Sequence, residues 1–222
     1  MTGSSRGIGQ QIALGLAQLD CSVVVHGRTR ENAGRTLELL AAYPVKTAVV
    51  AGDLGTTAGI RDTVLGVERH PGRIDILYNN AAVQNAWQSV WEIERSTWQD
   101  VLNVNVLALV ALCNALAPPM VERGYGRIVN LTSAIRDIPA LAPYSVSKAA
   151  VDKYTRDLAA ELKGTNVLVN TLDPGWLRTD MGGPNGEHDV TTVLPGALAP
   201  ALLPDFGTSG KRFSAQSCEW SD

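Results

Sequence analysis

The stretch that decides the fold is Thr2-Gly3-Ser4-Ser5-Arg6-Gly7-Ile8-Gly9, and an apolar-patterned segment, residues 10–19, follows it directly. In that segment Ile12, Leu16 and Leu19 fall on one helical face, so a helix is predicted to begin as the glycines end. Glycines at this spacing let backbone N–H groups approach a pyrophosphate, and the helix N-terminus adds partial positive charge. An ordinary tight turn is the alternative, because glycine patterns also recur by chance.

Beyond this loop, apolar runs typical of strands alternate with segments typical of helices. The predicted strands are 21–26, 45–50, 74–79, 127–131 and 167–172. The predicted helices are 29–42, a segment around 60–67, a long helix from Ser96 that stops before Pro118, and 144–163. Such alternation indicates repeated βαβ units. We therefore predict one α/β domain over residues 1–222, a doubly wound, Rossmann-like three-layer sandwich with a mostly parallel sheet.

Composition excludes several classes of protein. The chain has 222 residues, 45% of them hydrophobic, and a formal net charge of −3. This balance offers no basic face for nucleic acid and argues against disorder. No run approaches the ~20 apolar residues of a membrane span, so no membrane association is expected. The three cysteines (Cys21, Cys113, Cys218) and three histidines (His26, His70, His188) are scattered. We expect no metal, reduced thiols and a cytoplasmic location.

Further motifs follow the glycine loop in order, and together they resemble the short-chain dehydrogenases/reductases. The glycine loop fits the family's Thr-Gly-x-x-x-Gly-x-Gly pattern, and residues 144–148 fit its Tyr-x-x-x-Lys motif. The other matching positions are Asp53-Leu54, Asn79-Asn80-Ala81-Ala82, Asn105, Ser133 and Pro174-Gly175. The resemblance covers essentially the whole chain. It implies an oxidoreductase that transfers a hydride between a nicotinamide dinucleotide and a small carbonyl or secondary alcohol.

The resemblance also implies roles for four residues in catalysis. Tyr144 is the expected acid/base, with Lys148 on the same helical face one turn away. An ammonium nearby lowers the pKa of a phenol from its free value of ~10. Ser133 is expected to bond the substrate oxygen and Asn105 to order a water in a proton relay. The alternatives are a solvated Tyr–Lys contact, a strand-end serine bonded to backbone, and a polar residue on a helix face.

The residues expected to bind the cofactor follow the family's pattern. They are Gly3, Ser5, Arg6, Gly7, Ile8, Gly9, Arg28, Asp53, Leu54, Asn79, Ala81, Tyr144, Lys148, Pro174, Gly175 and Thr179. An enzyme that uses NAD(H) usually carries an acidic residue about 20 residues past the glycines, and here that stretch reads His26-Gly27-Arg28. Arg28 and Arg6 suit a 2′-phosphate, which favours NADP(H) over NAD(H). Two solvated surface arginines are the alternative.

The sequence departs from the family's pattern at the position of the first strand, which lies in the middle of the family's sheet. The family begins with an apolar strand before its glycine loop, whereas here the motif starts at residue 2. We expect this first strand to be missing from the chain and the two flanking strands to lack their shared neighbour.

The family pattern implies further features around the substrate. Residues 175–190 are expected to form a flap over it, in which Trp176, Leu177 and Met181 either line an apolar pocket or anchor the loop. The long helices from Ser96 and Tyr144 match those that pair subunits, which implies a homodimer or homotetramer. Another class of protein stays open: a non-catalytic NAD(P)-binding redox sensor on the same fold. A sugar-nucleotide epimerase would need a longer C-terminal region.

Overall fold

A computed structural model describes residues 1–69, 73–217, 220 and 221; His70 and Cys218 therefore lie outside the described residues. The strands are β1 (Val23–Gly27), β2 (Thr47–Ala51), β3 (Ile76–Asn79), β4 (Gly126–Leu131), β5 (Val167–Asp173), β6 (Leu177–Arg178), β7 (His188–Asp189), β8 (Arg212–Ser214) and β9 (Trp220–Ser221). The α-helices are α1 (Gly7–Gln18), α2 (Gly34–Leu40), α3 (Thr57–Glu68), α4 (Arg95–Leu102), α5 (Ala108–Glu122) and α6 (Ala142–Glu161). Short 3₁₀ turns and one π-helical turn (Asn103–Leu107) connect them.

The strands form a parallel sheet in two sections. One section is β1-β2, and the other has the order β3-β4-β5-β8-β9, in which β9 is antiparallel. The longest register runs from Gly126 opposite Val167 to Leu131 opposite Leu172. β6 and β7 form a small separate pair.

The core lies on both faces of the sheet. Because side chains alternate along a strand, Tyr78 and Val129 enter one apolar cluster, while Leu77 and Ile128 enter the other. Helix α1 covers the first cluster and helix α5 covers the second. Helices on both faces of a parallel sheet make three layers, and this confirms the predicted α/β architecture.

Residues 1–4 occupy the position between β1 and β3. The Met1 amino group bonds Val24 O at 3.2 Å, Thr2 N bonds Tyr78 O at 3.0 Å, and Ser4 N bonds His26 O at 3.0 Å. These bonds join the two sections of the sheet at the carboxyl ends of β1 and β3. We expected β1 and β3 to lack a shared neighbour. The segment that opens the glycine loop partly replaces that neighbour by bonding to both strands.

We predicted that the long helix from Ser96 stops before Pro118, and this prediction is wrong. Helix α5 continues through Pro118 and Pro119 to Glu122, although each proline lacks an N–H for the helical ladder. The flanking residues Ala117 and Met120 are buried in the core, so packing outweighs the lost hydrogen bonds. The run Arg95–Glu122 is also long and apolar enough to cross a membrane by length and composition alone, a test that core helices of soluble proteins pass as well.

The junction at residues 1–4 generates a prediction about stability. Adding a short Val/Ile-rich segment before Met1 places further strand backbone between β1 and β3, where it can pair with both. We expect a higher melting temperature, measured by calorimetry. A Gly/Ser-rich extension of equal length is the control, and equal melting temperatures for the two extensions would contradict this account.

Candidate active site

The predicted site residues gather at the carboxyl ends of the strands, on either side of the junction between β1 and β3. In doubly wound sheets this is the topological switch point, where a crevice opens and ligands bind. The glycine loop lies directly in it, and the ends of β3, β4 and β5 supply the remaining groups.

The glycine loop is held by Thr2 and Asn80. The Thr2 hydroxyl accepts the backbone N–H groups of Asn80 and Ala81, at 2.9 and 3.0 Å. The Asn80 amide donates to Thr2 O at 3.0 Å and Gly3 O at 2.9 Å. A Cβ on Gly9 would lie 2.4 Å from Gly3 O, so this position requires glycine. The loop is thus fixed against the segment that follows β3.

The imidazole of His26 fixes the same loop from β1. Its Nδ1 accepts the Gly3 N–H at 3.2 Å, and its Nε2 lies 3.1 Å from Gly52 O, which makes Nε2 the donor of a neutral ring. Burial lowers the pKa of His26 to about 4, assisted by the positive charge of the amino terminus. At neutral pH this side chain is an uncharged bridge between β1, β2 and the loop.

The N-terminus of α1 suits an anion. Arg6 precedes the helix, and in the described chain no side chain caps α1 and no acidic residue lies in its first turn. Uncapped N–H groups and the helix dipole attract a phosphate. This observation fits the diphosphate of a dinucleotide.

The two arginines predicted for a 2′-phosphate differ in their surroundings. Arg28 is exposed and makes no hydrogen bond or ion pair among residues 1–69, 73–217, 220 and 221. Arg6 instead forms an ion pair with Asp180, with Nε 2.7 Å from Oδ2. Both partners are largely solvent-exposed, so this pair is weak.

Tyr144, Lys148 and Ser133 lie together, as predicted. The Ser133 hydroxyl lies close enough to the Tyr144 phenol to lower its pKa, and it accepts Ile135 N–H at 3.2 Å. Lys148 Nζ lies 5.6 Å from the centre of the Tyr144 ring and donates to Leu131 O at 2.9 Å. The end of β4 thus places Ser133 beside α6 and accepts the ammonium of Lys148 from that helix.

The pKa of Tyr144 is shifted in the direction opposite to our prediction. Burial raises the pKa of the phenol, the bond from Ser133 lowers it, and the Asp173 carboxylate raises it, so the net direction is upward. Burial also lowers the pKa of Lys148 to about 8, against the opposing charge of Asp152. Lys148 therefore remains mostly protonated at neutral pH, but burial sets the net direction of the Tyr144 pKa, which is raised and not lowered as we predicted.

Asn105 lies in the π-helical turn Asn103–Leu107 and is buried. Its side chain accepts Val83 N–H at 2.8 Å and donates to Val83 O and to the Ser147 hydroxyl, both at 2.9 Å. Ser147 in turn donates to Tyr144 O at 2.6 Å. Asn105 thus connects the segment after β3 to the helix of Tyr144, and π-turns often mark functional sites.

Four other predicted cofactor residues lie at the end of β3 or directly after β2 and β3. Asp53 is exposed and accepts Gly55 N–H at 2.9 Å, and Ala81 packs on Gly3. Leu54 and Asn79 have side chains that point into the fold. Leu54 is 4% exposed in the core, and the Asn79 amide donates to Asn130 at 2.9 Å. Only the backbone of Leu54 and Asn79 can therefore contact a cofactor.

The segment predicted as a flap packs on the glycine loop. A Cβ on Gly7 would lie 3.6 Å from the Thr179 methyl group, and Gly175 has a φ of +82° that favours glycine. Pro174 O accepts the Gln216 amide at 2.9 Å. Thr179 is thereby placed beside the N-terminus of α1.

The three apolar flap residues have different surroundings. Leu177 is 2% exposed and belongs to the core, so it anchors the segment. Trp176 and Met181 are exposed, at 55% and 39%, and the Trp176 indole donates to Gly182 O at 2.9 Å.

Sequence reasoning missed several residues that position the site. Our predictions from the sequence assign no role in the site to His26, Asn80 or Ser147. His26 and Ser147 contribute hydrogen bonds to residues distant in sequence, which no local pattern signals. The motif match at Asn79-Asn80 contained a signal for Asn80.

Comparisons with known proteins agree with this geometry. A family model described as short chain dehydrogenase matches residues 1–189. The chain belongs to the short-chain dehydrogenase family. This confirms the resemblance carried by the sequence motifs.

Two individual relatives and one solved structure are similar to this chain and carry names of the same family or reaction class. The chain is 35% identical to gluconate 5-dehydrogenase of Gluconobacter oxydans over 183 residues, covering 82% of this chain and 71% of the relative. It is 37% identical to dehydrogenase/reductase SDR family member 4 of Bos taurus over 181 residues, covering 81% of this chain and 65% of the relative. The structure of a metagenomic short-chain oxidoreductase in complex with NADP matches with a TM-score of 0.74 at 31% identity, covering 78% of this chain and 80% of that chain.

The bridge made by His26 generates a prediction about pH. A His whose folded pKa is about 4, against an ordinary 6.5, is protonated more readily in the unfolded chain. The neutral His26 ring therefore contributes fully to the free energy of unfolding above pH ~6.5. This contribution is lost as pH falls toward 4, and the loss is about 3 kcal/mol at most. We expect His26→Gln to flatten the fall in melting temperature between pH 7 and 4. An unchanged slope in this variant, with His188→Gln as the control, would contradict the role of His26.

Proposed function

We propose that this chain is an NADP(H)-dependent oxidoreductase that interconverts a small carbonyl compound and a secondary alcohol. The observation that carries the proposal is the convergence of Ser133, Tyr144 and Lys148 at the end of β4, connected through Asn105 to the segment that packs on the glycine loop. The dehydrogenases and reductases among the relatives support the same class of reaction.

In this proposal each side chain performs one task. The hydroxyls of Ser133 and Tyr144 bind the substrate oxygen, and Tyr144 donates a proton to it during reduction. Its raised pKa keeps the phenol protonated and suits it to act as an acid in that direction. Asn105 holds the segment after β3 against α6 and keeps a proton path beside Tyr144. Lys148 supplies positive charge and a donor toward the ribose of the cofactor.

The nicotinamide cofactor supplies the hydride when bound. The residues that would hold it are the glycine loop, the uncapped first turn of α1, Ala81, Thr179, and backbone atoms of Leu54, Asn79, Pro174 and Gly175. Asp53 is assigned to the adenine. Arg28 is exposed and makes no hydrogen bond or ion pair within the described part of the chain, and this supports its role at a 2′-phosphate. Arg6 joins it when the pair with Asp180 opens. The NADP-bound metagenomic structure supports the choice of NADP(H).

We also propose the domain organisation, the oligomeric state and the cellular location of the enzyme. Residues 1–222 act as one domain, with 175–190 as a flap that closes over the substrate. Leu107 and Val146 are exposed apolar side chains on the helical run from Ser96 and on α6, which supports pairing of these helices in a homodimer or homotetramer. The location is proposed to be the cytoplasm, where Cys21 and Cys113 stay reduced.

A redox sensor is the second candidate function. A sensor would need the glycine loop but neither Ser133 beside the Tyr144 phenol nor the buried Lys148. Burial of a lysine costs free energy, so its retention beside a phenol favours an enzyme.

Removal of the phenolic hydroxyl tests the enzyme directly. We expect Tyr144→Phe to lower kcat at least ~1,000-fold, because the proton donor is lost, while NADPH still binds with an unchanged Kd. The measurements are NADPH oxidation with a panel of reactive carbonyls and a fluorescence titration. Tyr43→Phe, at an exposed hydrogen bond far from the site, is the control. Retained turnover would overturn the assignment, and binding without turnover in the wild type would favour the sensor.

The cofactor preference is tested at Arg28. We expect Arg28→Gln to weaken NADPH binding by about tenfold and leave NADH binding unchanged, because only NADPH carries the 2′-phosphate. Arg61→Gln, at an exposed ion pair on α3, is the matched control. A wild type that prefers NADH, or equal losses for both cofactors in Arg28→Gln, would refute this role.

A further inference from the structure

We propose that Arg212 is a positioning residue for the Tyr144–Lys148 pair, because it holds the two carboxylates that lie near the phenol and the ammonium. Arg212 lies on β8, whereas Tyr144 and Lys148 lie on α6, so the fold alone brings the three residues together. This inference rests on the proposed function, in which Tyr144 moves the proton and Lys148 supplies positive charge. It gives Arg212 a task that requires no contact with substrate or cofactor.

The guanidinium of Arg212 joins two carboxylates from different elements. Its Nη2 lies 2.9 Å from Asp173 Oδ2 at the end of β5, and its Nη1 lies 3.7 Å from Asp152 Oδ2 on α6. The three side chains are between 13% and 32% exposed, so solvent screens their charges only in part. One cation thus lies between two anions, and the cluster formed by Arg212, Asp152 and Asp173 keeps a net negative charge.

Asp173 connects this cluster to Tyr144. Burial is the main cause of the raised pKa of the Tyr144 phenol, and the negative charge of Asp173 raises that pKa further. Asp173 Oδ1 accepts Gly175 N–H at 3.0 Å, while its Oδ2 faces Arg212. Because Arg212 is paired with this carboxylate, its positive charge offsets part of the negative charge that acts on the phenol.

Asp152 connects the cluster to Lys148. It follows Lys148 by four residues on α6, so the two side chains share one face of the helix. Burial lowers the pKa of Lys148 to about 8, and the negative charge of Asp152 opposes that change. Asp152 Oδ1 is buried and has no hydrogen-bond partner in the described chain, so the carboxylate depends on nearby cations. Arg212 is one of these cations, and it offsets part of the charge that keeps Lys148 protonated.

The other groups around the pair add little charge. The π-helical turn presents the amide of Asn105 and the end of β4 presents the hydroxyl of Ser133, and both groups are neutral. Arg136 lines the same cavity as Arg212, but it is exposed and makes no hydrogen bond or ion pair within the described ranges. Solvent screens such a charge. Arg212 is therefore the guanidinium through which the fold can act on both members of the pair.

Loss of Arg212 has a defined sign at both groups. Without the guanidinium, the surroundings of Tyr144 and Lys148 become more negative, so both groups keep their protons to a higher pH. Removal of either carboxylate has the opposite effect on the group beside it. If Arg212 only joined β8 to β5, its loss would lower the melting temperature and leave the pKa of Lys148 unchanged.

An NMR titration of Lys148 tests the cluster without any substrate. The chain has five lysines, so ¹³C-labelled lysine gives few signals, and Lys148→Arg identifies the signal of Lys148. We expect a midpoint near pH 8 in the wild type. We expect Arg212→Gln to raise this midpoint by about 0.5–1 pH unit and Asp152→Asn to lower it by a similar amount.

Three further variants complete this titration. Arg212→Lys keeps the positive charge and should restore most of the wild-type midpoint. Lys153→Gln removes an exposed ion pair with Asp157 on the same helix, and it should leave the midpoint unchanged. Arg212→Met is a second neutral variant for the case that Arg212→Gln does not fold, and the same rise is expected. An unchanged midpoint in the neutral variant that folds would overturn the proposal, whatever its melting temperature.

The pH profile of turnover extends the test to Tyr144. Oxidation of an alcohol requires the deprotonated phenol, so kcat/KM for 1-phenylethanol at saturating NADP⁺ rises with pH through the pKa of the acid/base. We expect Arg212→Gln to move this rise to higher pH by about 0.5–1 unit. We expect Asp173→Asn, which keeps an acceptor for Gly175 N–H, to move it to lower pH. Shifts of the same sign in these two variants would contradict the proposal.

Failure of this inference is distinguishable from failure of the proposed function. Turnover in which neither the pH profile nor the Lys148 midpoint responds to Arg212→Gln would overturn the role of Arg212 and leave the oxidoreductase standing. Absence of turnover with every alcohol and carbonyl tested, with NADPH bound, would overturn the proposed function and the catalytic task of Arg212 with it. The Lys148 midpoints would then still confirm or refute the charge cluster itself.

Discussion

The structure depends on the junction at which residues 1–4 join β1 to β3. The hydroxyl of Thr2 and the amide of Asn80 tie this segment to the end of β3, and His26 ties it to β1 and β2. The same few bonds hold together two sections of a sheet and shape the loop that we propose binds a diphosphate. Stability and cofactor binding therefore share one set of contacts, and both respond to any change in the neutral imidazole.

The proposed chemistry depends on the pKa of the Tyr144 phenol, on which burial and neighbouring groups act in opposite directions. Burial and Asp173 raise the pKa of the phenol, and Ser133 lowers it, while Lys148 stays mostly charged at neutral pH. Arg212 neutralises part of the charge of Asp173 and Asp152. The proposed acid, Tyr144, is thus coupled through one carboxylate, Asp173 at the end of β5, to the guanidinium of Arg212.

The sequence predicted much of this arrangement because periodicity and motifs report local structure. Alternating apolar patterns placed every long strand, and the i, i+4 spacing placed Tyr144 and Lys148 on one face. The path of α5 through Pro118 and Pro119 could not be predicted, because packing outweighs local preference there. Nor could the inward side chains of Leu54 and Asn79, the pairing of Arg6 with Asp180, or the raised pKa of Tyr144, since each depends on residues distant in sequence.

The central claim is that hydride and proton reach one carbonyl group at Tyr144 and the glycine loop. The most direct measurement uses two samples of NADPH, one deuterated at each face of C4 of the nicotinamide, and mass spectrometry of the alcohol formed from a reactive aldehyde or ketone. The account predicts one deuterium on the former carbonyl carbon with one of the two samples and none with the other. An alcohol without deuterium from both samples, or bound NADPH that is never oxidised, would contradict it.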